Sequence, residues 1–101
     1  MVNNMNYIIY PTKDKVKLPS RGYFTKGDSS KDIAIISTFL AGNFMGYETK
    51  TKVKIDDMLG EVLGNNLIVW IKQFQKNNNL EVDGNIGPKT LAKLEEYGLN
   101  K

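Results

Sequence analysis

The sequence between two predicted helices reads FQKNNNLEVDGNIGPKTL, at residues 74–91. Asp83-Gly84 predicts a tight turn with a positive φ at the glycine. Ile86 is the apolar residue expected in the core. Pro88 fits the first position of a helix, because it has no amide hydrogen to leave unpaired. These residues therefore predict a helix end, a turn, one buried side chain and a new helix.

Three helices are predicted from apolar residues that recur at helical spacing. The first helix is expected to follow N-cap candidates at residues 27–30 and to stop at residues 42–43. The second is expected from Asn65 or Asn66 to Lys76, and the third from Pro88 to Gly98. Residues 44–58 are predicted to be a polar loop, with a short extended piece at residues 51–55 as an option. The expected fold class is mainly α, a small three-helix fold with Gly-rich turns.

The first 20 residues differ in composition from the rest. Residues 7–10, Tyr-Ile-Ile-Tyr, are prone to β-structure, and Pro11 ends the run. A charged stretch and a turn-rich segment follow. We therefore expect residues 1–20 to form a linker or arm with room for one short strand, and residues 21–101 to form the domain.

The approaches to the second and third helices resemble each other. The segment LGEVLG, which ends at Gly64, aligns with VDGNIG, which ends at Gly87. The offset of 23 (87 − 64) pairs Leu63 with Ile86. Apolar positions agree while surface positions differ, which is typical of one structural unit that occurs twice. Asp56-Asp57 offers a competing alignment.

Composition excludes several classes of function. The 101 residues include no His and no Cys, which excludes thiol nucleophiles, Ser-His-Asp triads and Cys/His zinc sites. We expect no catalytic residue, no metal and no cofactor, so the chain is not an enzyme by itself. A net charge of +3 favours anionic partners but is too small to indicate nucleic acid. No apolar run reaches the roughly 18 residues of a membrane span, and no signal peptide is visible.

Residues 74–91 resemble the signature of the peptidoglycan-binding type 1 domain, in which a helix ending in Phe-Gln precedes Asp-Gly-x-apolar-Gly-Pro-x-Thr. The likeness spans roughly residues 22–99, with a looser N-terminal half. It departs from the family pattern before the second helix, where an Asp-Gly turn is missing and Asn65 stands where Pro is usual. The resemblance implies a non-catalytic module that binds bacterial peptidoglycan and anchors a lytic enzyme to its substrate.

Family members are commonly appended to enzymes that cut bacterial cell walls, phage endolysins among them. The arm is similar to the tether that follows a catalytic domain. The resemblance therefore implies a C-terminal cell-wall-binding module of an endolysin that acts on Gram-positive walls. Met1 fits either a cloned start or a separate translation start, so the catalytic lysin domain is expected in cis or in trans. Synthesis is expected in the host cytoplasm, and action at the cell wall.

Loop aromatics and turn residues are the predicted ligand contacts. Planar amphipathic rings suit glycan or peptide contact, although a loop aromatic on a small domain more often covers the edge of the core. The predicted ligand-binding residues are Tyr23, Phe24, Tyr47, Asp83 and Asn85. Trp70 could stack on a sugar, but its helical spacing with the apolar residues of the second helix predicts a core position.

Two other classes of function stay open. One is an oligomerisation module, in which residues 7–10 or an apolar patch pair subunits into a homo-oligomer. The other is a small basic DNA-binding domain. The third helix argues against DNA binding, because it carries Glu95 and Glu96 and no Arg.

Overall fold

The computed structural model describes residues 15–101, so the strand predicted at residues 7–10 lies outside the described part. The described chain is mainly helical. Its helices are α1 (Lys31–Asn43), α2 (Tyr47–Thr51), α3 (Ile55–Met58), α4 (Asn65–Asn77) and α5 (Pro88–Glu96). Residues 15–101 contain two isolated β-bridges and no sheet.

The three helices predicted from the sequence correspond to α1, α4 and α5. The Ser30 side chain caps α1 by accepting hydrogen bonds from the backbone N–H groups of Asp32 and Ile33. Helix α4 ends in the Asn run, where Asn79 takes a positive φ of 58°. Pro88 begins α5, and Gly98 follows its end with φ 125°. Each of these helix ends confirms a prediction.

The segment between α1 and α4 differs from the prediction. Residues 44–58 form two short helices, α2 and α3, rather than a polar loop with an extended piece, so the described chain has five helices instead of three. Both short helices pack against α4. Glu48 joins them, because its Oε2 atom accepts a hydrogen bond of 2.8 Å from the Ile55 backbone N–H. Helices of four or five residues are too short for periodicity to reveal, and here tertiary contacts stabilise them.

The core is built from buried residues of α1, α4 and α5 and of the segments between them. Its largest fully buried side chains are Trp70 and Phe74 of α4, which confirms the core position predicted for Trp70. The indole Nε1–H of Trp70 donates to the Val53 backbone carbonyl at 2.9 Å, so the buried polar group is paired. This bond also fixes the link between α2 and α3 on the surface of α4.

The chain enters the domain beside its own C-terminus. Val16 is buried, with 3% of its surface exposed. Its backbone N–H donates to Asn100 Oδ1 at 2.7 Å, and its carbonyl accepts from Asn100 Nδ2 at 3.2 Å. The side-chain amide of Asn100 therefore pairs with Val16 as a neighbouring strand would.

Residues 24–30 join the two similar helix approaches. The backbone N–H and C=O of Ile86 both bond to Phe24, at 3.0 Å each. The N–H and C=O of Leu63 both bond to the same segment, through Asp28 and Gly27, at 2.9 Å each. Leu63 and Ile86, which the sequence alignment pairs, thus have equivalent backbone partners and are both fully buried.

Candidate functional site

An open groove lies in front of α5, with a volume of about 510 Å³. We call it groove one. Its walls come from three parts of the chain: Tyr23 and Thr25 before α1, Gln75 near the end of α4, and most of residues 80–90. Groove one therefore includes the Asp-Gly turn and the first residues of α5.

Gln75 holds the turn in place from below. Its side chain is 1% exposed. The Oε1 atom accepts from the backbone N–H of Asp83 at 3.1 Å and of Gly84 at 2.9 Å. The Nε2 atom donates to the Asn85 carbonyl at 2.9 Å and lies 3.1 Å from Thr90 Oγ1. Gln75 therefore pairs three backbone groups of the turn.

Thr90 has a different role from the one its position predicts. A threonine in the first turn of a helix is expected to bond local backbone. Here its hydroxyl instead lies within hydrogen-bond distance of the buried Gln75 side chain, and this contact links α5 to α4. Thr90 is buried, and its hydroxyl oxygen accepts this bond from the Gln75 amide.

The Asp-Gly turn has the predicted conformation. Gly84 has φ 78°, and a Cβ atom there would lie 2.8 Å from Ile68 Cγ2. Both the positive φ and the close approach therefore require glycine. Asp83 Oδ1 accepts from the Asn85 backbone N–H at 2.9 Å and from Gln75 Nε2 at 3.0 Å. The Asp83 carboxylate thus stabilises the turn that forms one wall of groove one.

Groove one has side chains suited to binding, of which Tyr23 and Lys89 are exposed and Asn85 is half-buried. Tyr23 is 42% exposed, and the Arg21 guanidinium lies 5.7 Å from the centre of its ring. Asn85 Oδ1 accepts from Thr25 Oγ1 at 2.8 Å, and its amide nitrogen has no hydrogen-bond acceptor within residues 15–101. Lys89 is exposed and makes no ion pair with the described residues. The groove therefore offers an aromatic face, an amide donor and a cation, beside the exposed carboxylates of Glu81 and Asp83.

The predicted ligand residues separate into two groups. The structure brings Tyr23, Asp83 and Asn85 together in groove one. Phe24 and Tyr47 lie elsewhere, and both rings are buried, at 4% and 6% exposed. Their burial contradicts the prediction that these two rings are available to a ligand, and both instead cover the edge of the core.

Tyr47 is not in a loop as predicted, because it begins α2. Its ring stacks on Phe44 at 5.1 Å and meets the edge of Trp70 at 5.5 Å, between ring centroids. Burial raises the pKa of its phenol above the ordinary value of 10.0, the hydrogen bond from Asn77 lowers it in part, and the nearby Tyr97 raises it further. The environment of Tyr47 is that of a structural aromatic residue.

Thr25 and Lys89 are among the groove residues that were not predicted. Thr25 lies 60 positions from Asn85 in the sequence, so only the folded chain reveals their hydrogen bond. Lys89 follows Pro88 directly. Because the second residue of a helix projects from its N-terminal end, the Gly-Pro helix start is the sequence signal that could have identified Lys89.

In residues 15–101, no three side chains of the types that bind metal ions come together. None of the helices formed by these residues has the length and apolar character needed to cross a bilayer.

One family model matches the chain. The family is described as "Putative peptidoglycan binding domain", and the match covers residues 43–94, just over half of the chain. No curated protein and no solved structure gives a match. The matched residues include α4, the Asp-Gly turn and most of α5. The chain therefore belongs to this family of peptidoglycan-binding domains.

Proposed function

We propose that the chain is a non-catalytic module that binds bacterial peptidoglycan in groove one and holds a lytic enzyme at the cell wall. The observation that carries the proposal is the position of groove one. Its turn and helix start, residues 80–90, lie within the part of the chain that matches the family.

The side chains of groove one suit the chemistry of this polymer. Peptidoglycan consists of amino sugars that carry acetamido groups and short peptides. The exposed ring of Tyr23 offers a flat apolar face to the C–H groups of a sugar. The Asn85 amide can donate to an acetamido carbonyl, and Lys89 can attract a peptide carboxylate. Asp83 supports the turn, so its contribution to binding is to position Asn85.

Anchoring acts through local concentration. A catalytic domain that is tethered to a wall-bound module meets its substrate at a much higher effective concentration than a free domain does. We propose that the catalytic partner is a cell-wall hydrolase, present in cis or in trans, and that the setting is a phage endolysin directed at Gram-positive walls. The module would be made in the host cytoplasm and act at the wall, without a membrane or nucleic-acid partner.

The proposal is tested by sedimentation of the purified chain with insoluble cell walls. Walls are used both intact and stripped of attached secondary polymers. We expect binding to survive stripping, because the ligand is the peptidoglycan itself. Tyr23→Ala should weaken binding about tenfold, as the loss of an aromatic contact residue commonly does.

Tyr97→Ala is the matched control, because Tyr97 is 50% exposed but lies outside groove one. It should leave wall binding unchanged in folded protein. Absence of binding to any stripped wall by the folded wild-type chain would overturn the proposed function. Equal losses in Tyr23→Ala and Tyr97→Ala would overturn the assignment to groove one.

Oligomerisation and DNA binding stay alternative predictions. Light scattering of the full chain tests the first, and a DNA shift assay at two salt concentrations tests the second.

A further inference from the structure

We infer that the first copy of the internal repeat forms a second ligand groove, which takes a second repeating unit of the same wall polymer. This groove lies in front of α4 and has a volume of about 450 Å³. We call it groove two; all the residues that line it fall within residues 57–67. The inference rests on the proposed function and adds a second site to it.

The backbones in front of the two helices are equivalent. Gly64 precedes α4 with φ −98° and ψ −178°, and Gly87 precedes α5 with φ −102° and ψ −170°. Directly before them, Leu63 and Ile86 are both fully buried and both bond to the segment that precedes α1. The backbone therefore runs in the same way from Leu63 into α4 as from Ile86 into α5.

The two grooves occupy equivalent positions in the repeat. Ten residues line groove two, and adding 23 to their numbers places eight of them on residues that line groove one. Asn65 takes the position of Pro88, and Asn66 that of Lys89. The repeat seen in the sequence thus duplicates the groove as well as the helix that follows it.

The side chains of groove two disfavour ligands with negative charge. Asp57 and Glu61 are both exposed at its walls, and no Lys or Arg is among the residues that line it. Val62, 55% exposed, provides an apolar surface, and the Asn65 side chain is also exposed. Two carboxylates without a cation repel anionic wall polymers. Groove two is therefore suited to the sugar and to an amine of the peptide, whereas groove one attracts the peptide carboxylate through Lys89. Both groups belong to the disaccharide-peptide unit that we propose for groove one.

Two grooves on one rigid domain change how the affinity depends on the length of the ligand. A soluble fragment with one disaccharide-peptide unit can occupy either groove, but it gains nothing from the other. A continuous wall can fill both grooves, and the second contact is then intramolecular. Loss of groove two should therefore weaken binding to walls more than it weakens binding of a one-unit fragment to groove one.

The test is an NMR titration of the full chain with a soluble fragment that holds one disaccharide-peptide unit. We expect amide shifts in residues 80–90 and, separately, in residues 57–67. Val62→Arg should remove the shifts in residues 57–67, keep those in residues 80–90, and weaken sedimentation with walls about tenfold. Val69→Arg is the matched control, because Val69 is an exposed valine of α4 outside both grooves.

Asp57→Lys provides a second variant, because it changes an exposed side chain that packs little. It should weaken the shifts in residues 57–67 and leave those in residues 80–90. Wild-type shifts confined to residues 80–90 would overturn the second groove while supporting the proposed function. Unchanged wall binding by folded Val62→Arg and Asp57→Lys would also overturn it. No shift in either groove, together with no wall binding, would overturn the proposed function itself.

Discussion

At the scale of single residues, Gln75 determines the shape of groove one. A leucine in its place would fill a similar volume but leave the N–H groups of Asp83 and Gly84 without their acceptor. An unpaired polar group at a buried site costs about 1–3 kcal/mol. We expect Gln75→Leu to lower the free energy of unfolding by about 2–3 kcal/mol, measured by urea unfolding.

Gln73→Leu is the control for this change. Gln73 is on the same helix, and its Nε2 atom donates to the exposed Asn77 side chain at 2.9 Å. Its replacement should change the free energy of unfolding by less than about 0.5 kcal/mol, as surface substitutions usually do. A loss in Gln75→Leu no larger than that in Gln73→Leu would show that the bonds beneath the turn add no stability.

The Tyr47 phenol makes the free energy of unfolding depend on pH in the alkaline range. Burial raises its pKa above 10.0 in the folded chain, whereas the unfolded chain releases the proton near 10. The contribution of Tyr47 to the free energy of unfolding is fully present below about pH 10 and is lost as the pH rises through the folded-state pKa. From about pH 9 to about pH 11, the free energy of unfolding should fall more steeply for wild type than for Tyr47→Phe.

Unfolding curves at several pH values measure this difference. Near neutral pH the two proteins should have stabilities within about 0.5 kcal/mol, because Tyr47→Phe removes only a 3.4 Å hydrogen bond from Asn77. Parallel falls in stability above pH 10 would mean that the Tyr47 phenol is as accessible in the folded chain as in the unfolded one.

At the scale of elements, the turn between α4 and α5 requires a glycine for two separable reasons. Gly84→Ala places a Cβ atom 2.8 Å from Ile68 and retains a φ of 78°. Gly27 also has a positive φ, of 93°, but a Cβ atom there meets nothing within 4 Å. Gly27→Ala should therefore cost only the backbone penalty of about 1–2 kcal/mol, and Gly84→Ala about 1–3 kcal/mol more.

Thermal unfolding of both variants measures the two contributions. Gly84→Ala should also distort groove one and weaken wall binding, while Gly27→Ala should not. Equal destabilisation of the two variants would mean that Ile68 moves aside without cost.

The elements show how far the sequence determines the structure. Apolar spacing and capping residues predict α1, α4 and α5, because these signals are local to each helix. They miss α2 and α3, which depend on contacts made by α4: Trp70 bonds to Val53, and the Asn66 side chain bonds to the Asp57 carbonyl. Neither contact leaves a periodic signal in the sequence.

For the candidate site, too, the sequence predicts the parts that depend on local motifs and misses those that depend on distant contacts. The turn residues Asp83 and Asn85 are predicted from a local motif, and Tyr23 from its place in a loop. The burial of Phe24 and Tyr47 could not be predicted, because it depends on which loop faces lie against the core. The Thr25–Asn85 bond joins parts of the chain that are far apart in sequence.

At the scale of the whole molecule, Asn100 joins the two ends of the described chain. Its side chain pairs with both backbone groups of Val16 and also donates to Glu95 Oε2 at 2.8 Å. The Asn100 side chain therefore holds Val16 in a fixed place beside the residues that follow α5.

Asn100→Ala should release this end of the chain without disturbing groove one. We expect a loss of about 1–3 kcal/mol in the free energy of unfolding and faster amide hydrogen exchange at Val16. Asn79→Ala is a close control: Asn79 also has a positive φ, 58° against 67° for Asn100, but its side chain makes no hydrogen bond within residues 15–101. Both variants replace an asparagine, which tolerates a positive φ better than alanine does, and only Asn100→Ala loses the contact with Val16. Equal exchange at Val16 in the two variants would show that burial of its side chain, and not the Asn100 amide, holds the entry of the chain in place.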